Sequence, residues 1–394
     1  MLMVIFGAGA SFDSVPSRPP EQYPDLEHRL PLANDLFADR KLFTETMTSF
    51  HEFIPLVPLL RRPPANLSVE GMLQQFQTEA DRYPIRLRQL AAIQFYLHMV
   101  IWECQRYWQD VAKITNYATL LDQIELWRGK GGYESVCLVT FNYDTLLENA
   151  LPFIGVRIQD IADYIGSKVY KIIKVHGSMN WARDVKTPID NILNKNAWQV
   201  AHELIEKAEF GLELTDTYRI VSSHPIGTYD TAPNTRVPNY PALAIPVESK
   251  RDFACPGNHL DVLRECIPQI TKVLIVGWRG VEAHFVELLR GLNRPTGIGG
   301  VVVGGQYEWG NEVAVRLQHL NVSWRPSHAG FTEWITNGEA TTPSARASSR
   351  RSSASCSIDN ASRLRWTRAW PFSTSSKAGT THAAAIPPST TSRP

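Results

Sequence analysis

Thr140-Phe141-Asn142-Tyr143-Asp144 is the stretch whose reading decides the fold. The run before it, Ser135-Val136-Cys137-Leu138-Val139, is apolar and β-prone and reads as a buried strand. Leu146-Leu147-Glu148-Asn149-Ala150-Leu151, after it, reads as the start of a helix. In a parallel α/β sheet ligands bind beyond the carboxyl ends of the strands, which is where Asn142 and Asp144 fall. Standing two apart, their side chains share a side if the strand continues through them. The same residues also fit an Asx turn with a helix N-cap at Asp144. The stretch alone leaves both readings open.

Moving outward, the same strand–turn–helix pattern recurs. At the amino end Val4-Ile5-Phe6 runs into Gly7-Ala8-Gly9-Ala10-Ser11. Glycine allows a sharp turn and close approach to a ligand, and amides at a helix start favour an anion such as pyrophosphate. Phe12 occupies the position of the third glycine of the dehydrogenase GxGxxG fingerprint, so a hydride-transfer fold fits poorly. Strands are predicted over 169–175, ending in His176-Gly177-Ser178, and over 242–246, 272–276, 301–303 and 322–324. Helices are predicted over 259–270, 281–292 and 311–320, and a helical pattern resumes at Pro31-Leu32-Ala33-Asn34-Asp35-Leu36-Phe37. Strands alternating with helices imply an α/β fold, a Rossmann-like parallel sheet with helices on both faces. Two insertions interrupt it, at about 44–130 and 184–241. In the first, Leu90, Ile93, Leu97, Val100, Cys104 and Tyr107 recur at helical steps, and His98, Trp102 and Trp108 beside them read as core. The second contains a helix over 198–210 and a turn-rich polar segment.

The chain has 394 residues, 43% hydrophobic and 20% charged, a soluble globular composition. No run approaches the ~20 apolar residues of a membrane-spanning helix, and the first residues lack the basic start of a signal peptide. The formal charge of +1 conceals an asymmetry. From residue 340 onward eight Lys or Arg face one acid, Asp359, a net of +7, so the rest of the chain carries −6. A mildly acidic globular part argues against a general nucleic-acid surface. Cys104, Cys137, Cys255, Cys266 and Cys356 form no CxxC pair, which argues against a zinc ribbon or disulfide framework and for a cytoplasmic protein. Beyond about 335 Ser, Thr, Ala, Arg and Pro dominate without hydrophobic periodicity, so 336–394 is expected to be a disordered tail. Its abrupt onset also fits an altered reading frame.

Three polar features thus end three predicted strands: the 7–11 turn, Asn142 with Asp144, and His176. Gly277-Trp278 ends a fourth. This order resembles the sirtuin-like (SIR2-like) family. Gly7-Ala8-Gly9-Ala10-Ser11 looks like its Gly-Ala-Gly-x-Ser nucleotide turn, Thr140-Phe141-Asn142-Tyr143-Asp144 is similar to its Thr-x-Asn-x-Asp motif, and His176-Gly177 matches its catalytic His-Gly. Gly277-Trp278-Arg279 stands where the family carries Gly-Thr/Tyr-Ser beside the adenosine half of NAD. The resemblance covers residues 1–335. The deacylating sirtuins carry a four-cysteine zinc module that this chain lacks, and Ser14-Val15-Pro16-Ser17-Arg18 departs from their Gly-Ile-Pro-Asp-Phe-Arg loop. The chain looks closer to the zinc-free branch of bacterial anti-phage systems, which Pro31-Leu32-Ala33-Asn34-Asp35-Leu36-Phe37 and Ile245-Pro246 with Lys250 also resemble. That branch implies hydrolysis of NAD+ to nicotinamide and ADP-ribose, with activity held back until a sensor protein or self-association releases it.

Breaking the nicotinamide glycosidic bond builds positive charge on the ribose carbon, which a site must face with oriented dipoles and an attacking water. Asn142 can hold a ribose hydroxyl or that water. Asp144, if ionised, can stabilise the cation and bind the carboxamide region. His176 can take a proton. These expectations make Asn142 and His176 catalytic. They assign NAD+ binding to Gly7, Ala8, Gly9, Ala10, Ser11, Thr140, Asp144, Gly277, Trp278 and Glu282, with no metal. Glu282 can instead serve only the helix dipole, and His259, His284 and Lys250 are weaker candidates. A protein deacylase or mono-ADP-ribosyltransferase uses the same cleavage with another acceptor. A non-catalytic NAD+ or ADP-ribose sensing module is the alternative from another class.

Overall fold

The structure, a computed structural model, describes residues 1–14, 27–111, 115–131, 133–222, 224–232, 235–247, 253–292 and 297–337. The tail from 338, most of the loop expected between 16 and 31, and Lys250 lie outside the described residues.

Among the described residues ten strands carry the fold: β1 Leu2–Phe6, β2 Val136–Thr140, β3 Tyr170–Lys174, β4 Gly177–Val185, β5 Leu214–Ile220, β6 Thr228–Ala232, β7 Thr235–Leu243, β8 Lys272–Val276, β9 Ile298–Val303 and β10 Val322–Pro326. Six of them form one sheet in the order β10-β9-β8-β1-β2-β3, with every pairing parallel. The reason is legible along β1. All five residues are fully buried, as a strand covered on both faces requires. Its period of two splits the core. Leu2, Val4 and Phe6 pack with Leu138, Ile172, Leu274 and Val301 on one face, and Met3 and Ile5 pack with Cys137, Val139, Ile173 and Ile275 on the other. Each such side chain contributes about 1.5–3 kcal/mol by leaving water.

On the first face lie the helices of the long segment between β1 and β2, chiefly Val69–Glu79, Ile85–Val111 and Asn116–Gly131. Leu90, Ile93, Leu97, Val100 and Cys104 are buried along the long helix, as their spacing requires, and Tyr107 is partly exposed. His98 and Trp108 are buried too. The opposite face is covered by Gly257–Cys266, Ala283–Leu289 and Tyr307–Arg316.

Two expectations need correction. Residues 31–37 do not resume a helix. They make a single 3-10 turn, Ala33–Asp35, because Pro31 and the extended Leu32 (φ −75°, ψ 167°) leave too short a run to nucleate one. The strand expected over 242–246 does not join the parallel sheet either. It is the end of β7, in a second, antiparallel sheet ordered β5-β4-β7-β6. The turn-rich polar segment hid these strands, since half-exposed strands of mixed polarity carry no apolar run. The helix of this region, Ala197–Lys207, starts at a capping box: Asn196 and Gln199 exchange two bonds of 2.9 Å. No helix among the described residues is long and apolar enough to cross a membrane.

The chain steps from β1 outward to β2 and β3, then returns to place β8 on the other side of β1. A crevice opens at such a reversal, beyond the carboxyl ends of the strands. His176 lies where β3 gives way to β4, at the seam between the two sheets.

Candidate active site

A cleft of about 960 Å³ opens at the carboxyl ends of β1, β2, β3, β8 and β9. Its walls include Gly7, Ala8, Gly9, Ser11, Asn142, Asp144, His176, Gly277, Trp278 and Glu282, ten of the twelve residues expected at the site. The other two stand behind it. Ala10 is fully buried in the core, and the Thr140 hydroxyl accepts the Asn142 backbone amide at 3.0 Å, fixing the turn out of β2.

The glycine turns after β1 and β8 touch backbone to backbone. A Cβ on Gly7 would lie 2.5 Å from the Gly277 carbonyl oxygen, and one on Gly277 (φ +62°) would lie 2.3 Å from the Ala10 nitrogen. The glycines are therefore required by each other, whatever binds above them. Three of the 7–10 amides expected as anion donors are already engaged. Gly7 N already donates to the Val276 carbonyl (3.0 Å), Gly9 N to that of Gly277 (3.1 Å) and Ala10 N to that of Gly7 (2.9 Å). A diphosphate here would compete for these donors.

Asn142, 6% exposed, is the hub of the floor. Its Nδ2 lies 2.9 Å from the Gly7 carbonyl oxygen, 2.9 Å from Ser11 Oγ and 3.0 Å from Tyr117 Oη, and the two hydroxyls are 2.8 Å apart. Its Oδ1 is buried with no hydrogen-bond partner. A buried carbonyl left so costs about 1–3 kcal/mol, and a ligand hydroxyl or water would satisfy it. Tyr117, which sequence reasoning missed, comes from the helix Asn116–Gly131 and is fully enclosed. Burial pushes its phenol well above the ordinary value, so it stays protonated. Nothing in its local sequence marks it, because its partners are 25 and 106 residues away.

Asp144 makes the Asx turn: its Oδ1 accepts the Leu146 amide at 3.0 Å, while Thr145 takes the N-cap position of the helix Leu146–Ala150. The strand ends at Thr140 and does not continue through Asn142 and Asp144; the Asx turn forms as expected, with the cap displaced by one residue. Gln105 clamps Thr145 through two bonds of 2.5 Å, one to the hydroxyl and one from the backbone amide. Burial raises the Asp144 pKa. Lys174, Ser11 and the Leu146 amide pull it down, and Glu148 adds to the rise.

His176 is 4% exposed and is surrounded by rings: Phe141 edge-on at 4.9 Å between centroids, Tyr143 at 6.4 Å and His284 at 6.4 Å. Gly177 (φ +75°) follows it because a Cβ there would come within 2.0 Å of the Ala242 carbonyl oxygen. Trp278 stacks on Phe141 at 5.2 Å, and its indole donates to Glu282 at 2.6 Å. Glu282 is not inside a helix, as expected, but at the N-cap position of Ala283–Leu289. Across the mouth Arg279 pairs with Glu70 at 2.8 Å, joining the loop after β8 to the helix Val69–Glu79.

Among the described residues no group of three or more His, Cys, Asp or Glu could hold a metal ion. Cys104, Cys137, Cys255 and Cys266 are buried free thiols.

No protein-family model matches the chain, and no curated protein matches it. Among solved structures it is similar to a Sir2 homologue in complex with NAD, at 12% identity over 85% of this chain and 88% of that one, with a TM-score of 0.34. Sir2 with the inhibitor EX-527, 2'-O-acetyl-ADP-ribose and a deacetylated p53 peptide matches at 13% over 86% and 91%, TM-score 0.34. A Sir2–p53 peptide–NAD+ complex matches at 15% over 86% and 91%, TM-score 0.34.

Proposed function

We propose that the chain is an NAD+ glycohydrolase that cleaves NAD+ to nicotinamide and ADP-ribose and acts as a NAD-depleting effector of bacterial anti-phage defence. The observation that carries the proposal is the Asn142 carbonyl oxygen, buried and without a partner, in one cleft with Asp144 and His176. The cleft volume of about 960 Å³ supports a ligand as large as a dinucleotide. The motif order of the sequence and the absence of any CxxC pair support the zinc-free hydrolytic branch over a peptide deacylase.

In such a reaction the bond from the ribose carbon to the pyridinium nitrogen breaks, and its electron pair leaves with neutral nicotinamide. Asp144, as a carboxylate, faces the charge that develops on the ribose. Asn142 Oδ1 accepts from a ribose hydroxyl or from the attacking water. Water oxygen bonds to the ribose carbon, and its proton passes to His176. Burial of all three groups keeps competing solvent dipoles away and strengthens each interaction.

The test is mass-spectrometric analysis of NAD+ incubated with the purified chain, with and without extract of infected cells. Release of nicotinamide and ADP-ribose by the wild type, lost in His176→Ala, is expected. Consumption only when acylated peptide or acceptor protein is added would instead make it a deacylase or transferase. Tight binding without turnover under every condition would make it a sensing module.

A further inference from the structure

Lys174 ends β3, two residues before His176, and is fully buried. An ammonium there forfeits several kcal/mol of hydration unless it is paired and bonded. Its Nζ donates to the Asp144 carbonyl oxygen and pairs with Glu148 Oε1 at 2.8 Å. The same carboxylate oxygen accepts from Tyr164 Oη at 2.9 Å. Lys174, Glu148 and Tyr164 all stand outside the cleft walls, so they contact no ligand there. Glu148 Oε2, moreover, is buried without a hydrogen-bond partner. Replacing such a buried pair with packed apolar side chains is often neutral or stabilising. Stability therefore does not account for it, whereas its position does. The ammonium bridges the end of β3, two residues before His176, to the Asp144 backbone in the loop that carries Asn142 and, through Glu148, to the helix Leu146–Ala150.

We propose that Lys174 is a positioning residue for the cleft: its buried ammonium ties the Asp144 loop to the end of β3, two residues before His176, and places a positive charge beside that loop. The activity part of this proposal rests on the glycohydrolase reading above; the electrostatic part does not. The groups that act on the Asp144 carboxyl are Lys174, Glu148, the Ser11 hydroxyl and the Tyr117 phenol, and the Leu146 amide donates to one oxygen. Among the influences that hold the carboxyl ionised, that of Lys174 is the largest.

The experiment titrates the Asp144 carboxyl by carbon-13 NMR in full-length protein labelled at aspartate carboxyls, assigned with Asp144→Asn. Lys174→Met alone would strand Glu148, so it is made together with Glu148→Gln. In this double variant the Asp144 titration should move up, and the acid limb of kcat should move with it. At a pH below the new midpoint kcat falls about tenfold per unit, while KM for NAD+ changes little. Glu148→Gln alone keeps the ammonium and removes a negative neighbour, so it should move the titration down. That arm is the control for sign; Lys174→Gln with Glu148→Gln, which keeps a donor near the Asp144 carbonyl and removes the charge, should also move the titration up and decides the matter if the methionine variant does not fold. An unmoved Asp144 titration in a folded variant overturns the proposal, as does a kcat loss that merely tracks the folded fraction with the acid limb unchanged. If the wild type releases no nicotinamide, the glycohydrolase reading falls, and the NMR titration still decides the role of Lys174.

Discussion

Asn142→Ala should separate the chemistry of the cleft from its stability. The side-chain amide has two hydrogens and three acceptors in reach, Gly7 O, Ser11 Oγ and Tyr117 Oη. At most two full hydrogen bonds are lost, about 1 kcal/mol each, and the small void adds on the order of 1 kcal/mol. Against this, the variant removes a buried carbonyl oxygen that has no partner, which relieves about 1–3 kcal/mol. The terms nearly cancel, so the melting temperature should move by no more than about 5 °C. Turnover should fall by about 10²-fold or more, as when an oriented polar contact to a developing charge is removed. Thermal melts followed by circular dichroism, with nicotinamide release measured on the same samples, check both halves. A melting temperature lower by about 10 °C or more would make Asn142 a structural tie between β1 and β2. Full turnover in a folded variant would remove it from the reaction.

Other perturbations test neighbouring parts of the argument. Gly277→Ala places a Cβ 2.3 Å from backbone at a φ of +62°; left-handed strain and overlap should together cost about 2–4 kcal/mol, and an unchanged urea midpoint would refute the backbone contact. Asp144 has a raised pKa in the fold, so its charged form opposes folding at pH 7. Asp144→Asn should therefore raise the urea midpoint at pH 7, with the gain vanishing as the pH falls towards the ordinary 3.8; a variant no more stable than wild type at pH 7 would contradict this. His98 is buried, its Nδ1 2.6 Å from the Met179 carbonyl oxygen and its Nε2 3.1 Å from His224 Nδ1, and burial pulls its pKa down to about 3. Its contribution is fully present above pH 6.5 and is lost as the pH falls towards about 3, so His98→Gln should flatten the acid-side decline of stability in urea titrations across pH.

Much of the parallel sheet can be read locally. The strands β1, β2 up to Thr140 and β8 after Lys272 are apolar runs, as burial on both faces demands, whereas β3 carries Lys171 and Lys174 among its apolar residues. The turns that end them announce themselves through glycine, asparagine and histidine, residue types whose backbone or side-chain chemistry suits a strand end. The antiparallel sheet from Gly177 to Leu243 does not announce itself, because its strands are half-exposed and polar and their pairing depends on partners far along the chain.

The sequence by itself determined that a parallel α/β sheet presents Gly7, Asn142, His176 and Gly277 at one end, since strand period and the parallel alternation of helices fix which ends coincide. Only the tertiary structure decided what each polar atom does there. It bonds the Asn142 amide to a glycine carbonyl 135 residues away and to a tyrosine from the helix Asn116–Gly131, leaving one oxygen open. It commits the Gly7 and Gly9 amides to Val276 and Gly277, and it buries Lys174 against the Asp144 backbone. Periodicity records which face a side chain takes, whereas a polar atom's partner is set by chain segments that meet only when the protein has folded.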